Sequence, residues 1–319
     1  MFKTIIVAAA LALAGAAHAD QPWPNKLVRI IVPYGPGGAV DVATRKMADK
    51  LSKQTGQTFI VENRAGGTGT IGALQVARAE ADGYTLMAND TTYSLLPHIF
   101  KKLPFDHDRD LVPVSAFLFA PMGLAVNADS RFKTVKQLVD EASAHPATIS
   151  YGSGGAGTTP HFAVEALASA TGVKFMHVPF KGAAEATQAV LAHTIDMQMA
   201  STTGLMGQVQ SGKMRLLAIS GDKRLAGLPN VPSFREAGVK WDGVVNWTGL
   251  WAQKGTPVAV IDRLQKEIAA AMATPDMVQF AQGMGAQPRF AGPEEFTKML
   301  KESTAFWGKV AANATFERQ

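Results

Sequence analysis

The sequence predicts an α/β protein of two lobes, each a mostly parallel sheet flanked by helices. Strand and helix signals alternate along the chain, the pattern of strands joined by helical crossovers. The first strand segment, 27–32, is an apolar run broken only by Arg29, as in strands buried on both faces. A loop motif occurs twice: Tyr34-Gly35-Pro36-Gly37-Gly38-Ala39 returns in the second half as Tyr151-Gly152-Ser153-Gly154-Gly155-Ala156. Each copy follows a short strand and precedes a helix that ends in Thr-Gly, at Thr55-Gly56 and Thr171-Gly172. With 319 residues, 47% hydrophobic and 18% charged, the chain is long and apolar enough to bury two cores.

In order, 27–32 is a strand, 42–52 a helix, 58–61 a strand, 72–79 a helix and 84–88 a strand. The second series is a strand at 149–151, a helix over 160–170 and a strand at 174–179. A further helix starts with Thr256 as N-cap and Pro257 in its first turn. Ile261, Leu264, Ile268 and Met272 form its apolar face, and Thr274-Pro275 stops it. The last helix opens at Pro293 with Phe296, Leu300, Phe306 and Val310 inward, and is expected to return to the first lobe.

The beginning of the chain reads as a signal peptide. Lys3 precedes an apolar stretch at 5–14, too short to span a bilayer, and Ala17-His18-Ala19 is a cleavage site. The expected mature chain starts at Asp20, and no later segment is apolar enough for membrane insertion. An exported protein meets little ATP or NAD. The 31 Lys and Arg against 26 Asp and Glu give +5, but the charges are scattered, so nucleic acid is not an expected partner. The absence of cysteine excludes disulfides, zinc–thiolate sites, iron–sulfur clusters and a cysteine nucleophile.

Glycines let a backbone turn sharply and approach a ligand. The helix after each loop presents unpaired N–H groups and a partial positive charge, a site for an anion. Each loop alone reads more readily as a tight turn; two on facing lobes suggest a grip on one carboxylate. Dinucleotide binding fits less well. The glycines at 67, 69 and 72, with Asp90 ending the next strand, imitate the fingerprint, but Glu62-Asn63-Arg64-Ala65 separates them from their strand. No phosphate-binding loop, nucleophile elbow or zinc-protease motif occurs, and Asp106–Asp110 lacks the glycine and glutamate of a calcium loop. No cofactor or metal is expected. His161 reads as a ligand contact or a cap, Asp41 as a cap, and Lys181 as an anion partner or a solvated side chain.

Several segments, in this order, resemble the Bug-type periplasmic solute-binding proteins of tripartite tricarboxylate transporters. They include 31–41, Val61-Glu62-Asn63-Arg64, Ala81-Asp82-Gly83-Tyr84-Thr85-Leu86, 154–161, His177-Val178-Pro179-Phe180-Lys181-Gly182 and 228–238. The resemblance departs at Ala65-Gly66-Gly67-Thr68 and at Phe180, where the family often has tyrosine. It implies a two-lobed Venus flytrap of type II-like periplasmic binding-protein form. It also implies a small organic carboxylate in the inter-lobe cleft, a cognate inner-membrane permease and no catalysis. Lobe 1 is expected at 20–124 plus 248–319 and lobe 2 at 125–247, with crossovers near 124–127 and 244–250. Tyr34, Gly37, Gly38, Gly154, Gly155, Ala156, Gly157, Thr158 and Thr159 become the expected ligand loops. Asn89 and Thr91 are cleft residues by position, and Asp196 is a distal ligand contact or a strand-end turn. Trp247 flanks an aromatic ligand or packs a hinge. A monomer is expected. The rival readings are a ligand-sensing accessory of a two-component system and a secreted hydrolase, the latter lacking any visible serine–base signature.

Overall fold

A computed structural model describes residues 23–221, 223–225, 227–241, 245–313 and 318. The signal-peptide segment and residue 244 of the second crossover lie outside the described residues. The strands are β1 (Val28–Val32), β2 (Phe59–Asn63), β3 (Thr85–Asp90), β4 (Leu111–Asn127), β5 (Ser150–Ser153), β6 (Met176–Pro179), β7 (Met197–Ser201), β8 (Met214–Ile219), β9 (Val245–Gln253) and β10 (Gln287–Ala291). They follow the order β2-β1-β3-β9-β4-β7-β5-β6, with β8 and β10 also on β4.

The expectation of mostly parallel sheets holds for the outer strands and needs refinement at the centre. β1 pairs in parallel with β2 and β3, and β5 with β6 and β7. β9 is antiparallel to β3 and β4, and β4 is antiparallel to β7, β8 and β10. The cause is the 17-residue β4, which runs through both sheets. Its residues 111–121 pair with β9, and 122–127 with β7 and β8. A strand running from one sheet to the other cannot be a local βαβ crossover, so its partners turn against it.

The helices are α1 (Ala39–Thr55), α2 (Thr70–Ala77), α3 (Leu96–Ile99), α4 (Val135–Ala144), α5 (Thr159–Thr171), α6 (Ala183–Leu191), α7 (Thr202–Gln210), α8 (Val258–Met272), α9 (Pro275–Gly283) and α10 (Pro293–Asn313). They cover both faces of each sheet. In the first lobe, Met47 and Leu51 of α1 meet Leu264 and Ile268 of α8 over one face of the sheet. Val76 of α2 and Phe296 and Trp307 of α10 cover the other, with Tyr93 and Trp251. The second lobe has its own clusters, around Tyr151, Leu167 and Phe234 and around Val190, Leu205 and Ile219.

The structure differs from the sequence reading in three details. Pro257 is itself the N-cap of α8, because its ψ of 139° is extended, so the helix starts one residue later than Thr256 capping implies. Thr274-Pro275 ends α8 but at once opens α9, where proline suits the first turn. In α10, Phe306 is 39% exposed and Trp307 is fully buried. The inward face passes through Phe296, Met299, Leu300, Trp307 and Val310, so the larger ring takes the core position. As expected, α10 returns to the first lobe: it docks on the turn at 91–95, β4 and α3, with Phe296 against Trp247 and Trp251 of β9, and it also touches α5.

Candidate functional site

A small cavity of about 50 Å³ lies between the lobes, at the C-terminal ends of β1, β3, β5 and β7. That end of a parallel sheet is where helices begin and where α/β proteins hold ligands. Four helices start on its wall. Gly38, Ala39, Val40 and Asp41 come from the start of α1, Thr158 and Pro160 from α5, Ala183 and Ala184 from α6, and Ser201 and Gly204 from α7. The N-caps Gly38, Thr158, Gly182 and Ser201 make no side-chain capping bond. First-turn N–H groups have no acceptor within their own helix, so these four ends converge partial positive charge on one space; the donors come from α1, α6 and α7, because at α5 Thr159 N is taken by Thr92 Oγ1 and Pro160 has no N–H.

The hydroxyls of the wall are mostly committed elsewhere. Tyr34 Oη donates to Asn89 Oδ1 at 2.7 Å, and burial, followed by the nearby Asp90, pushes its pKa well above the ordinary phenol value. Thr158 Oγ1 donates to Gly155 O and Thr187 Oγ1 to Ala183 O. Asp41 accepts from Gly37 N at 2.9 Å, Asn63 Nδ2 at 2.9 Å and the Arg45 guanidinium. Burial raises its pKa, but Arg45, Gly37 N and Asn63 together outweigh that and hold it below the usual carboxylate value. Asp41 therefore caps its own loop and helix, as its position predicts.

The structure separates the sequence-predicted residues into groups. Tyr34, Gly38, Gly154 and Thr158 line the cavity. Gly37 lies at its rim, where a Cβ would sit 3.7 Å from Ala184 Cβ of the facing lobe. Asn89, Thr91 and Thr159 are buried behind the wall: Asn89 holds Tyr34, and the Thr91 and Thr159 hydroxyls meet at 3.0 Å across the lobes. Gly155, Ala156 and Lys181 line a separate outer groove with Pro33 and 65–69.

His161, Asp196 and Trp247 do not reach the cavity. His161 is buried with its ring 4.1 Å from that of His177, and its Nδ1 accepts from Gly157 N at 3.1 Å, a cap of its own loop. Asp196 stands before β7, at the opposite end of the sheet, and accepts from Ser150 N and Oγ at 2.8 and 2.7 Å. It pins two strand starts, the turn role its position allows. Trp247 packs edge-on against Phe296 at 5.0 Å, so it belongs to the crossover core.

A serine–histidine pair does exist: Ser153 Oγ and His177 Nε2 are 2.7 Å apart. Ser153 is fully buried and also bonded to the carbonyl of Gly155, so no substrate carbonyl can approach it. Burial lowers the pKa of His177 to about 4 and, with His177 beside it, that of His161 to about 3, which keeps both rings neutral at pH 7.

Residues that sequence reasoning passes over complete the wall: Thr92, Ala183, Ala184, Thr187, Ser201, Gly204, Asn246 and Asp90. Asp90 has a legible signal, as the acid ending a parallel strand, although the sequence pattern suggests only a ribose contact for it. The starts of α6 and α7 have none, since Gly182 and Ser201 look like ordinary loop residues. Among the described residues, no group of three or more His, Asp or Glu side chains is placed to hold a metal ion, and no helix is long and apolar enough to cross a membrane.

The sequence profile of the tripartite tricarboxylate transporter family receptor matches residues 43–315. A UPF0065 protein from the tcbD-tcbE intergenic region of Pseudomonas sp. (strain P51) is 35% identical over 312 residues, 97% of this chain and 93% of that protein. The structure of the periplasmic binding protein BugD superposes with a TM-score of 0.88 at 31% identity, covering 93% of this chain and all of that one. An R. palustris protein solved with adipate gives 0.88 at 28% identity, covering 91% and 98%. The two-lobed fold, the cleft between the lobes and the profile match agree: the chain belongs to the tripartite tricarboxylate transporter receptor family, whose members are periplasmic solute-binding proteins.

Proposed function

We propose that this protein is a periplasmic receptor that captures a small organic carboxylate between its lobes and delivers it to a tripartite tricarboxylate-type permease. The observation that carries the reading is the meeting of four helix N-termini without side-chain caps on one cavity. The adipate in the R. palustris neighbour supports the ligand class. The signal-peptide pattern supports export with cleavage after Ala19, and a monomer suffices because one chain supplies the whole cleft. β4 and β9 support lobe limits at 20–124 plus 248–319 and 125–247, with the chain crossing near 124–127 and 244–250.

In this reading the carboxylate oxygens take N–H donors from the starts of α1, α6 and α7, with the dipole of α5 behind them, beside Tyr34, Gly38, Gly154 and Thr158. A hydrogen bond to a charged group contributes about 1.5–3 kcal/mol, so three or four reach micromolar affinity, about −8 kcal/mol, after ordering costs. Desolvated backbone donors are weakly screened by salt. A thermal-shift screen of organic acids tests this: an acid at 100 times its Kd adds about 2.7 kcal/mol of stability. Raising salt from about 50 to about 500 mM is expected to weaken that binding only a few-fold. Failure of every acid to stabilise the protein ends the carboxylate reading; loss of binding with salt ends the backbone mechanism.

A further inference from the structure

Asp90 ends β3 with its carboxylate buried in the cavity wall, and among the described residues no cation answers it. Its Oδ1 accepts from Thr92 N at 2.9 Å and meets the Tyr34 hydroxyl at 3.4 Å. Its Oδ2 lies 3.4 Å from Asn246 Nδ2, and the Thr92 hydroxyl also donates to the carboxylate. Tyr34 and Asn246 cannot move closer to its charge. The Tyr34 proton is committed to Asn89, and the Asn246 carbonyl is held by the backbone and hydroxyl of Thr91. Among the described residues, no Lys, Arg or His lines the cavity. The other acid of the wall, Asp41, is already saturated by Arg45, Asn63 and Gly37 N. Burial pushes the pKa of Asp90 up, against the donors of Thr92, Asn246 and Tyr34.

A buried carboxylate without a counter-ion is costly, and here it faces space meant for a ligand. Much of the surrounding wall is small and apolar: Ala39, Val40, Ala183, Ala184 and Ala200. A dicarboxylate brings two more negative charges to this wall, against helix ends that carry only partial positive ones. A ligand with one carboxylate and one ammonium brings no net charge and satisfies both the helix ends and Asp90.

We infer that the cleft selects carboxylates that also carry a protonated amine, with Asp90 accepting from the ammonium while the helix N-termini hold the carboxylate. The inference rests on the receptor reading. Its probe is Asp90→Asn, which is isosteric and keeps an oxygen to accept from Thr92 N, so the turn at Thr91–Leu95 is retained while the charge is lost.

The experiment is calorimetry of wild type and Asp90→Asn at pH 7 with matched pairs differing in the amine. The pairs are L-alanine and propionate, L-aspartate and succinate, L-glutamate and glutarate, and 4-aminobutyrate and butyrate. Melting temperatures of both ligand-free proteins accompany it. In at least one pair the aminated acid is expected to bind wild type about tenfold tighter or more, and Asp90→Asn to reduce that ratio below about twofold. The ligand-free variant is expected to melt no lower than wild type. Tighter binding of the deaminated acids, or an amine preference that survives in a folded Asp90→Asn, overturns the role of Asp90 and leaves the receptor reading standing. Binding of neither member of any pair overturns both.

Discussion

At Asp41 one carboxylate joins the first glycine loop, the start of α1 and the end of β2, through Gly37 N, Arg45 and Asn63. Asp41→Ala is expected to cost about 2 kcal/mol, below the usual cost of breaking a buried pair because Arg45 is half exposed. Asp41→Asn, which keeps one acceptor, is expected to cost about half as much; chemical denaturation measures both. The pH dependence follows from the lowered pKa. The stabilisation is complete above the unfolded value of about 3.9 and is lost as pH falls through the lower folded value, so wild type and Asp41→Asn converge below about pH 4. The two loop glycines also separate. Gly155 has φ +130°, so Gly155→Ala is expected to lose about 1–3 kcal/mol of stability. Gly38 has φ −77°, and a methyl added there would meet a single atom, Gly35 O at 3.9 Å. Gly38→Ala is therefore expected to keep its melting temperature and lose ligand affinity by narrowing the cavity. At this scale the sequence shows which loops matter and that Asp41 caps one. It does not show which glycines are conformational, because φ is set by the loop as a whole.

The elements are legible where their signals are local. Glycine C-caps at Gly56 and Gly172 mark the ends of α1 and α5, both in the left-handed conformation. β4 is not legible as one strand, because Pro113, Pro121 and Gly123 interrupt its apolar run. The strand accommodates these residues through register shifts beside Pro113 and by changing partners after Pro121, which only the packed sheets reveal. Between β5, β6 and α5 the two histidine rings stack with Tyr151, whose hydroxyl donates to Glu165. Their pKa values of about 3 and about 4 lie below the unfolded value of about 6.5. The unfolded chain therefore takes up protons that the folded lobe refuses, and stability falls as pH drops from about 6.5 toward 4. Melting temperatures from pH 7.5 to 4.5 should show that fall, and a His161→Gln, His177→Gln double variant should flatten it. An equally steep fall in the double variant would assign the acid sensitivity to other groups.

At the scale of the molecule, the glycine loops do more than face a ligand: they set how closely the lobes meet. A Cβ on Gly204 of α7 would lie 3.3 Å from Ala39 N and 3.6 Å from Ala39 Cβ, at the start of α1 in the other lobe. Nearby, Thr68 Oγ1 donates to Ala156 O at 2.9 Å and Thr159 N to Thr92 Oγ1 at 3.2 Å, both across the cleft. These contacts are polar or between small groups and can break without unfolding a lobe, while Phe162 of α5, buried among first-lobe residues, is the apolar part of the seam. β4, which runs through both sheets, and the chain entering β9 are then the expected hinge about which the lobes separate. Gly204→Leu places a branched side chain between α7 and α1. It is expected to hold the lobes apart, since leucine suits a helix interior and only the inter-lobe gap resists it. The expected outcome is a larger radius of gyration in solution scattering, near-wild-type helicity and loss of the ligand-induced thermal shift. Wild type with saturating ligand is expected to show the smaller radius. If Gly204→Leu scatters like liganded wild type and still binds, the approach of α7 to α1 does not control closure, and the four helix ends need not converge for the ligand to be held.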